Sequence, residues 1–378
     1  MPLAGIYLHI PFCKQACYYC NFHFSTSLQQ RGKMMAAMAK EMALTDFPAL
    51  PETGKIETVY FGGGTPSLLQ EAELALLFEA LHRRFSIPAD AEITLEANPD
   101  DISTDALALW RRLGINRLSI GIQSFEETEL QWMHRAHSAT QALQCIILAQ
   151  QNGFQNLSAD LIYGSPLLSD TRWQKNVEQL TGLQVPHISC YALTVEPRTA
   201  LDKMILQHKK EAVDPDTQAR QFEQLMQWMQ AAGYEHYEIS NFALPGWRSR
   251  HNSSYWQGKK YFGFGPSAHS FDGQRRRWNL ANNSLYIQSL ENNRIPFEEE
   301  ILSPVQQLNE YLMISLRTLE GISLDTMEKK WGAKEAASVK QQAQKFMSDG
   351  KLLLAENHLR LSAAGKLFAD GIAAELFF

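Results

Sequence analysis

The chain has 378 residues, 45% apolar and 20% charged, with a net charge of −6. That length implies two or three domains, the apolar share implies a buried core, and a mildly acidic chain without a long basic run excludes a general nucleic-acid surface. No segment approaches the roughly 18 uninterrupted apolar residues of a membrane span, the start MPLAGIYLHIPFC lacks the basic region of a secretory signal, and five sparse cysteines fit a reducing cytoplasm better than a disulfide framework.

Short apolar segments rich in branched and aromatic residues alternate with stretches of helical pattern. Strands are predicted at Ile6–Ile10, Thr58–Phe61, Glu92–Glu96, Arg117–Gln123, Leu157–Tyr163 and His187–Leu193. Helices are predicted at Leu28–Phe47, Glu71–Phe85, Thr104–Leu113, Thr140–Asn152, Asp170–Leu183 and Pro215–Ala232. Such alternation implies βαβ units and a parallel sheet. The alternation is compatible both with a partial (β/α)6 barrel and with an open doubly wound sheet, and in either the chemistry gathers at the carboxyl ends of the strands.

Those ends carry the polar and glycine residues. The loop PFCKQACYYCNF after the first strand places Cys13, Cys17 and Cys20 at spacings of four and three. Three thiolates can hold an iron–sulfur core and leave one iron open. Zinc is the competing ligand, but structural zinc sites pair CxxC with a second pair downstream, and none follows. Gly62-Gly63-Gly64-Thr65-Pro66 ends the second strand, where glycines let backbone amides approach a ligand. Glu96 ends the third strand, Gln123 the fourth and Ala192 the sixth, while Asp160 interrupts the apolar run of the fifth. A carboxylate buried there needs a partner such as an amino group or a ribose hydroxyl.

The set YLHIPFCKQACYYC, FGGGTPSLL, EANP, GIQSF, DLIYG and SCYAL resembles the HemN-type branch of the radical S-adenosylmethionine (SAM) superfamily. The resemblance runs from about Ile6 to the C-terminus. It implies an α/β fold, a partial (β/α)6 radical SAM barrel with a smaller C-terminal domain, and a 4Fe–4S cluster on Cys13, Cys17 and Cys20. It further implies SAM contacts at Tyr7, Tyr19, Gly63, Gly64, Thr65, Glu96, Gln123, Arg135, Asp160 and Ala192, some of which serve a second SAM in that branch. An electron donor such as a flavodoxin accompanies this chemistry. Two departures separate the chain from the oxygen-independent coproporphyrinogen III oxidases of the branch. Phe22 stands where those enzymes carry a fourth cysteine, and only twelve residues precede Cys13. The segment His251-Asn252-Ser253-Ser254-Tyr255-Trp256 matches the HNxxYW motif of the heme-chaperone subgroup of the branch.

An imidazole is an ordinary heme-iron ligand, and Tyr255 and Trp256 offer flat amphipathic surface. Arg248, Arg250, Arg275, Arg276 and Arg277 could meet propionates. Heme contact is therefore expected at His251, Asn252, Tyr255 and Trp256, with His9, His23 and His269 as further ligand candidates. From Ser303 onward, helical patterns at Pro304–Thr318, Ser323–Trp331 and Glu335–Asp349 precede a hairpin, Lys351–Leu361, turning at Glu356-Asn357, and a last helix near Ala363. This suggests a winged-helix-like module, yet nine basic and nine acidic residues leave it without the charge that drives DNA binding. The expected domains are 1–240, 241–302 and 303–378. Cys145, Cys190 and the run Met34, Met35, Met38 and Met42 have core spacing.

The expected function is a cytoplasmic heme chaperone that passes heme to an apo-protein such as a respiratory cytochrome, with at most transient membrane contact. The alternative is a radical SAM enzyme such as the coproporphyrinogen oxidase.

Overall fold

A computed structural model describes residues 4–45 and 55–378. The six predicted strands form, as β1 (Ala4–Ile10), β2 (Ile56–Gly63), β3 (Glu92–Ala97), β4 (Arg117–Gln123), β5 (Asn156–Tyr163) and β6 (His187–Ala192). The connecting helices are α1 (Arg31–Leu44), α2 (Glu71–Arg84), α3 (Thr104–Arg112), α4 (Glu127–Met133), α5 (Ala139–Gln151) and α6 (Asp170–Gly182). The predicted end of the first helix at Phe47 lies outside the described residues. Helix α4 was not expected, because seven residues are too few to show a 3.6-residue period.

Strands β1 to β6 lie side by side in chain order, every pair parallel. A doubly wound sheet reverses its order at a switch point; this one does not. Right-handed crossovers taken repeatedly in one direction put every helix on the same face, so the sheet is the wall of a partial barrel. Ile6, Leu8 and Ile10, then Val59 and Phe61, then Leu118, Ile120 and Ile122 are fully buried beneath those helices. Met34, Met35, Met38 and Met42 of α1 belong to this core, as do Cys145 and Cys190. Burying each such side chain is worth about 1.5–3 kcal/mol.

After β6 the chain forms α7 (Ala200–Leu206), α8 (Pro215–Ala231), β7 (Glu235–Glu238) and β8 (Asn241–Ala243). It then forms α9 (Arg250–Trp256), β9 (Tyr261–Phe264), β10 (His269–Phe271), β11 (Arg275–Asn279), α10 (Asn283–Glu291) and β12 (Phe297–Ile301). The last strands extend the wall on both sides, giving the order β12-β11-β10-β9-β1-β2-β3-β4-β5-β6-β8-β7, whose two ends do not pair. The barrel is therefore open. No helix among the described residues is long and apolar enough to cross a membrane.

The C-terminal segment has its own apolar cluster, from Leu308 to Leu376. It contains α11 (Pro304–Leu316), β13 (Ile322–Ser323), α12 (Leu324–Trp331), α13 (Ala333–Gln342), α14 (Gln344–Ser348), β14 (Leu352–Ala355), β15 (His358–Leu361) and α15 (Ala369–Glu375). The hairpin turns at Glu356 and Asn357, both at positive φ, as two-residue turns require. The helix predicted over Glu335–Asp349 is two helices that break at Ala343, and the last helix begins at Ala369 after a tight turn, not near Ala363.

Candidate functional site

Alternation along the strands sends the opposite set of side chains into the barrel: Thr58, Tyr60, Glu96, Arg117, Ser119, Asp160, His187 and Ser189. Toward the carboxyl ends of the strands this polar face opens into a cavity of about 490 Å³. Cys13, Cys17 and Cys20 line it, together with Tyr19, Gly63, Gly64, Thr65, Glu96, Gln123, Arg135, Asp160 and Ala192. Of the residues expected to contact SAM, Tyr7 alone is not on its wall. Tyr7 lies deeper, its hydroxyl 3.2 Å from His9 Nδ1.

The cysteine loop is held from three directions. Ser25 and Pro11 close its base (Cys13 N to Ser25 O, 3.1 Å; Ser25 N to Pro11 O, 2.9 Å). Tyr18 N donates to Met133 O at the end of α4, and Leu201 N of α7 donates to Tyr18 O. Gly64 N donates to Ile10 O at 2.9 Å. A Cβ on Gly64 would stand 2.6 Å from Phe12 O, so only glycine lets the two loops meet. Gly63, at φ +107, turns its amide toward Glu96 Oε2 at 3.1 Å, and Tyr60 donates to the other carboxylate oxygen at 2.8 Å. Burial pushes the Glu96 carboxyl up to about 7, with nearby Asp160 adding to the rise and the two hydrogen bonds opposing it. Burial likewise raises Asp160 to about 6 against bonds from Ser189 and Ser119.

Arg135 reaches in from the segment between α4 and α5. Its Nη1 donates to Cys17 Sγ at 3.3 Å, and its Nη2 to Asn98 Oδ1 and Gly121 O, each at 2.9 Å. Its buried Nε has no partner. Asn98 in turn donates to Thr65 Oγ1 at 3.4 Å. Asn98, in the EANP segment, thereby joins the second, third and fourth strand ends, a role sequence reasoning had not assigned it.

These features fit a cluster and a charged cofactor. Cys13, Cys17 and Cys20 face one cavity, although among the described residues no three His, Cys, Asp or Glu side chains are already gathered to hold a metal ion. The unpartnered Nε of Arg135, the glycine amides and two carboxylates held above their usual range supply what a zwitterionic ligand needs.

The HNSSYW residues lie elsewhere. Helix α9 closes the amino-terminal end of the barrel, far down the strands from the cysteines. His251 is 1% exposed; its Nδ1 is 2.8 Å from Thr58 Oγ1 and its Nε2 3.0 Å from the Tyr255 hydroxyl. The backbone amides of Arg250 and His251 donate to Glu92. Burial and the Arg117 guanidinium drive the His251 pKa down to about 3. The imidazole is thus engaged on both nitrogens and is not presented to a ligand. Asn252, Tyr255 and Trp256 are partly exposed; Tyr255 packs edge-on against Tyr261, and Trp256 lies under the Arg317 guanidinium.

The other heme-ligand candidates are scattered. His9 is buried and engaged by His23 O, His23 is 2.8 Å from Asn283 Oδ1, and exposed His269 stacks on Trp278. Arg248 pairs with Glu235 and Glu320, and Arg276 with Glu300 and Glu310. Arg250 donates to Asp90 O, and Arg277 lies over the Phe297 ring. Phe22 is 67% exposed at the mouth of the cysteine cavity.

An open six-stranded parallel wall with a three-cysteine loop over a polar cavity defines a radical SAM protein. Residues 7–180 match the Radical SAM superfamily, and residues 302–368 match the HemN C-terminal domain. Coproporphyrinogen III oxidase (HemN) from Escherichia coli shares the fold, with a TM-score of 0.85 over 99% of this chain and 90% of that one at 22% identity. The chain is 34% identical to the heme chaperone HemW of Mycobacterium tuberculosis over 98% of its length and 94% of that protein. It is 31% identical to the Bacillus subtilis protein of that name over 98% of both. The chain belongs to the HemW family.

Proposed function

We propose that this protein is a heme chaperone that holds a 4Fe–4S cluster on Cys13, Cys17 and Cys20, binds SAM in the cavity above them and passes heme to an apo-protein. The observation that carries this reading is end-to-end similarity to proteins named heme chaperones, in a chain with Phe22 where the oxidase pattern has a cysteine. The SAM-facing set is Tyr19, Gly63, Gly64, Thr65, Glu96, Gln123, Arg135, Asp160 and Ala192, supported by their convergence on one cavity. The cluster, when bound, supplies one-electron chemistry. Around it the chain's own residues position and neutralise: Arg135 offsets thiolate charge at Cys17, and Glu96 faces a cation. A cytoplasmic location and a flavodoxin-like electron donor accompany the reading.

The HNSSYW helix is better read as the barrel floor than as the axial heme ligand, since exposing His251 would break bonds to Thr58 and Tyr255. A radical SAM enzyme acting on a porphyrinogen is the second reading, favoured by the complete polar cavity. An anaerobic heme titration of cluster-reconstituted protein, beside an assay for protoporphyrinogen formation, separates the two. Saturable one-to-one heme binding without product supports the chaperone; product with little heme affinity refutes it.

A further inference from the structure

A second cavity, of about 580 Å³, lies between the barrel and the C-terminal segment. Its volume is within the roughly 300–1,000 Å³ of small-molecule sites. One wall is the outer side of the barrel at Tyr163, Ala192 and Phe222; the other is the C-terminal segment at Phe346, Lys366 and Phe368. Ala192 lines this cleft and the cysteine cavity alike, so the end of β6 separates the two by a single strand.

The cleft has an apolar lining and a cationic edge; of its aromatic side chains Tyr163, Phe222 and Phe346 are buried and Phe368 is the exposed one. Phe368 is 50% exposed, although it sits against a wall that could cover it. The two carboxylates on the cleft are already paired, Asp370 with Arg317 and Glu375 with Lys345. Lys351 and Lys366 have no carboxylate partner among the described residues. Lys351 Nζ stands 4.4 Å over the Phe368 ring, and Lys366 Nζ is 2.7 Å from His236 Nδ1. Burial lowers the Lys366 ammonium to about 8, with Glu238 opposing the fall. A neutral imidazole is a poor counterpart for an ammonium, and an anionic oxygen a good one. Arg317 also stacks on Trp256 at 5.4 Å, which joins the HNSSYW helix to the same cleft.

We propose that this cleft is the binding site for a flat, apolar dicarboxylate of the tetrapyrrole class. The exposed Phe368 ring and the apolar lining meet the ring system, and Lys366 and Lys351 meet the carboxylates. The occupant rests on the heme reading above; the site is additional to it. No histidine or cysteine lines the cleft, so recognition is by ring and carboxylates, and the metal-free porphyrin fits as the metallated one does.

The test is a fluorescence and optical titration of the full, cluster-reconstituted chain with hemin and, separately, with metal-free protoporphyrin IX. Wild type is compared with Lys366→Gln, the charge-keeping Lys366→Arg and the cleft-filling Ala219→Trp, each checked by circular dichroism. Lys366→Gln is expected to weaken both ligands roughly tenfold, with Lys366→Arg restoring affinity and Ala219→Trp abolishing it. Wild-type hemin binding left unchanged by Lys366→Gln and Ala219→Trp overturns the cleft while the heme reading stands. Metal-free porphyrin that binds and is lost in those variants, with no hemin binding in wild type, supports the cleft and overturns the heme reading. Binding of neither ligand by wild type overturns both.

Discussion

Thr58 Oγ1 and His251 Nδ1 lie 2.8 Å apart on the floor of the barrel, joining β2 to the HNSSYW helix across 193 residues of chain. The imidazole is buried and neutral, with its pKa driven to about 3 from an ordinary 6.5. The folded state therefore disfavours protonation, so the contribution is full above pH 6.5 and is lost as pH falls toward 3. Its slope reaches about 1.4 kcal/mol per pH unit. His236 is depressed to about 3 by burial and the nearby Lys366, and His187 is depressed by burial and Arg117; both act in the same direction. Lowering the pH from 8 to 4 should lower the urea midpoint steeply in wild type and less steeply in His251→Gln. Equal slopes would show that His251 titrates normally. Thr58→Val should cost about 1–3 kcal/mol at pH 7, by leaving the ring nitrogen unpaired.

Gly64→Ala tests the docking of the cysteine loop. Its Cβ would meet Phe12 O at 2.6 Å and Ile10 O at 2.8 Å, both backbone atoms that cannot rotate away. Iron and sulfide content after reconstitution is expected to drop several-fold while far-UV circular dichroism stays near wild type. Full cluster content in the alanine variant would mean the loop tolerates displacement.

Glu96 links pH to SAM affinity. Its carboxyl, raised to about 7 by burial, must ionise to meet the SAM ammonium. Affinity is expected to be constant above pH 7 and to weaken below it, by up to about tenfold per pH unit. Equilibrium dialysis from pH 5.5 to 8.5 reads this directly. Glu96→Gln should bind SAM more weakly at pH 8 and show no such dependence; a pH-dependent glutamine variant would assign the titration to another group, with Asp160 next.

Arg135 places a permanent cation beside Cys17, a ligand of the proposed cluster. Reduction adds negative charge to the cluster, so a nearby guanidinium favours the reduced form. Replacing it by glutamine should lower the one-electron potential by about 60 mV, the equivalent of one charge-assisted hydrogen bond. An anaerobic redox titration followed by electron paramagnetic resonance, without SAM, measures the shift. A potential unchanged in Arg135→Gln would leave the guanidinium with a ligand-facing role only.

Cysteine content separates the two classes of thiol. Cys17→Ser should remove the cluster, since Cys17 faces the cavity. Cys145→Ala should keep it, because Cys145 is 3% exposed within the apolar core and its thiol bonds to Ala142 O. Retention of a full cluster by Cys17→Ser would remove that thiol from the ligand set.

Much of the site was legible because its signals are local. The spacing of Cys13, Cys17 and Cys20, the glycine run 62–64 and the strand-ending Glu96 and Gln123 each occupy a few consecutive residues. Strand alternation then sends them to one end of the wall. The helix break at Ala343 carries no glycine or proline signal, and the strands β7–β12, of three to five residues each, are too short for a pattern to reveal.

By itself the sequence placed the cysteine loop, the glycine run 62–64, Glu96, Gln123, Asp160 and Ala192 on the strands and their ends, because periodicity and the βαβ rule bring strand ends together whatever the remaining packing does; Asn98 joined their cavity only in the fold. Only the tertiary structure decided how the chain uses His251, Arg135 and Lys366. Their partners Thr58, Cys17 and His236 lie 193, 118 and 130 residues away along the chain. A histidine in a heme-associated motif reads as a ligand until folding buries it and engages both ring nitrogens. Burial and partner choice are properties of the closed packing, and no local run of residues carries them.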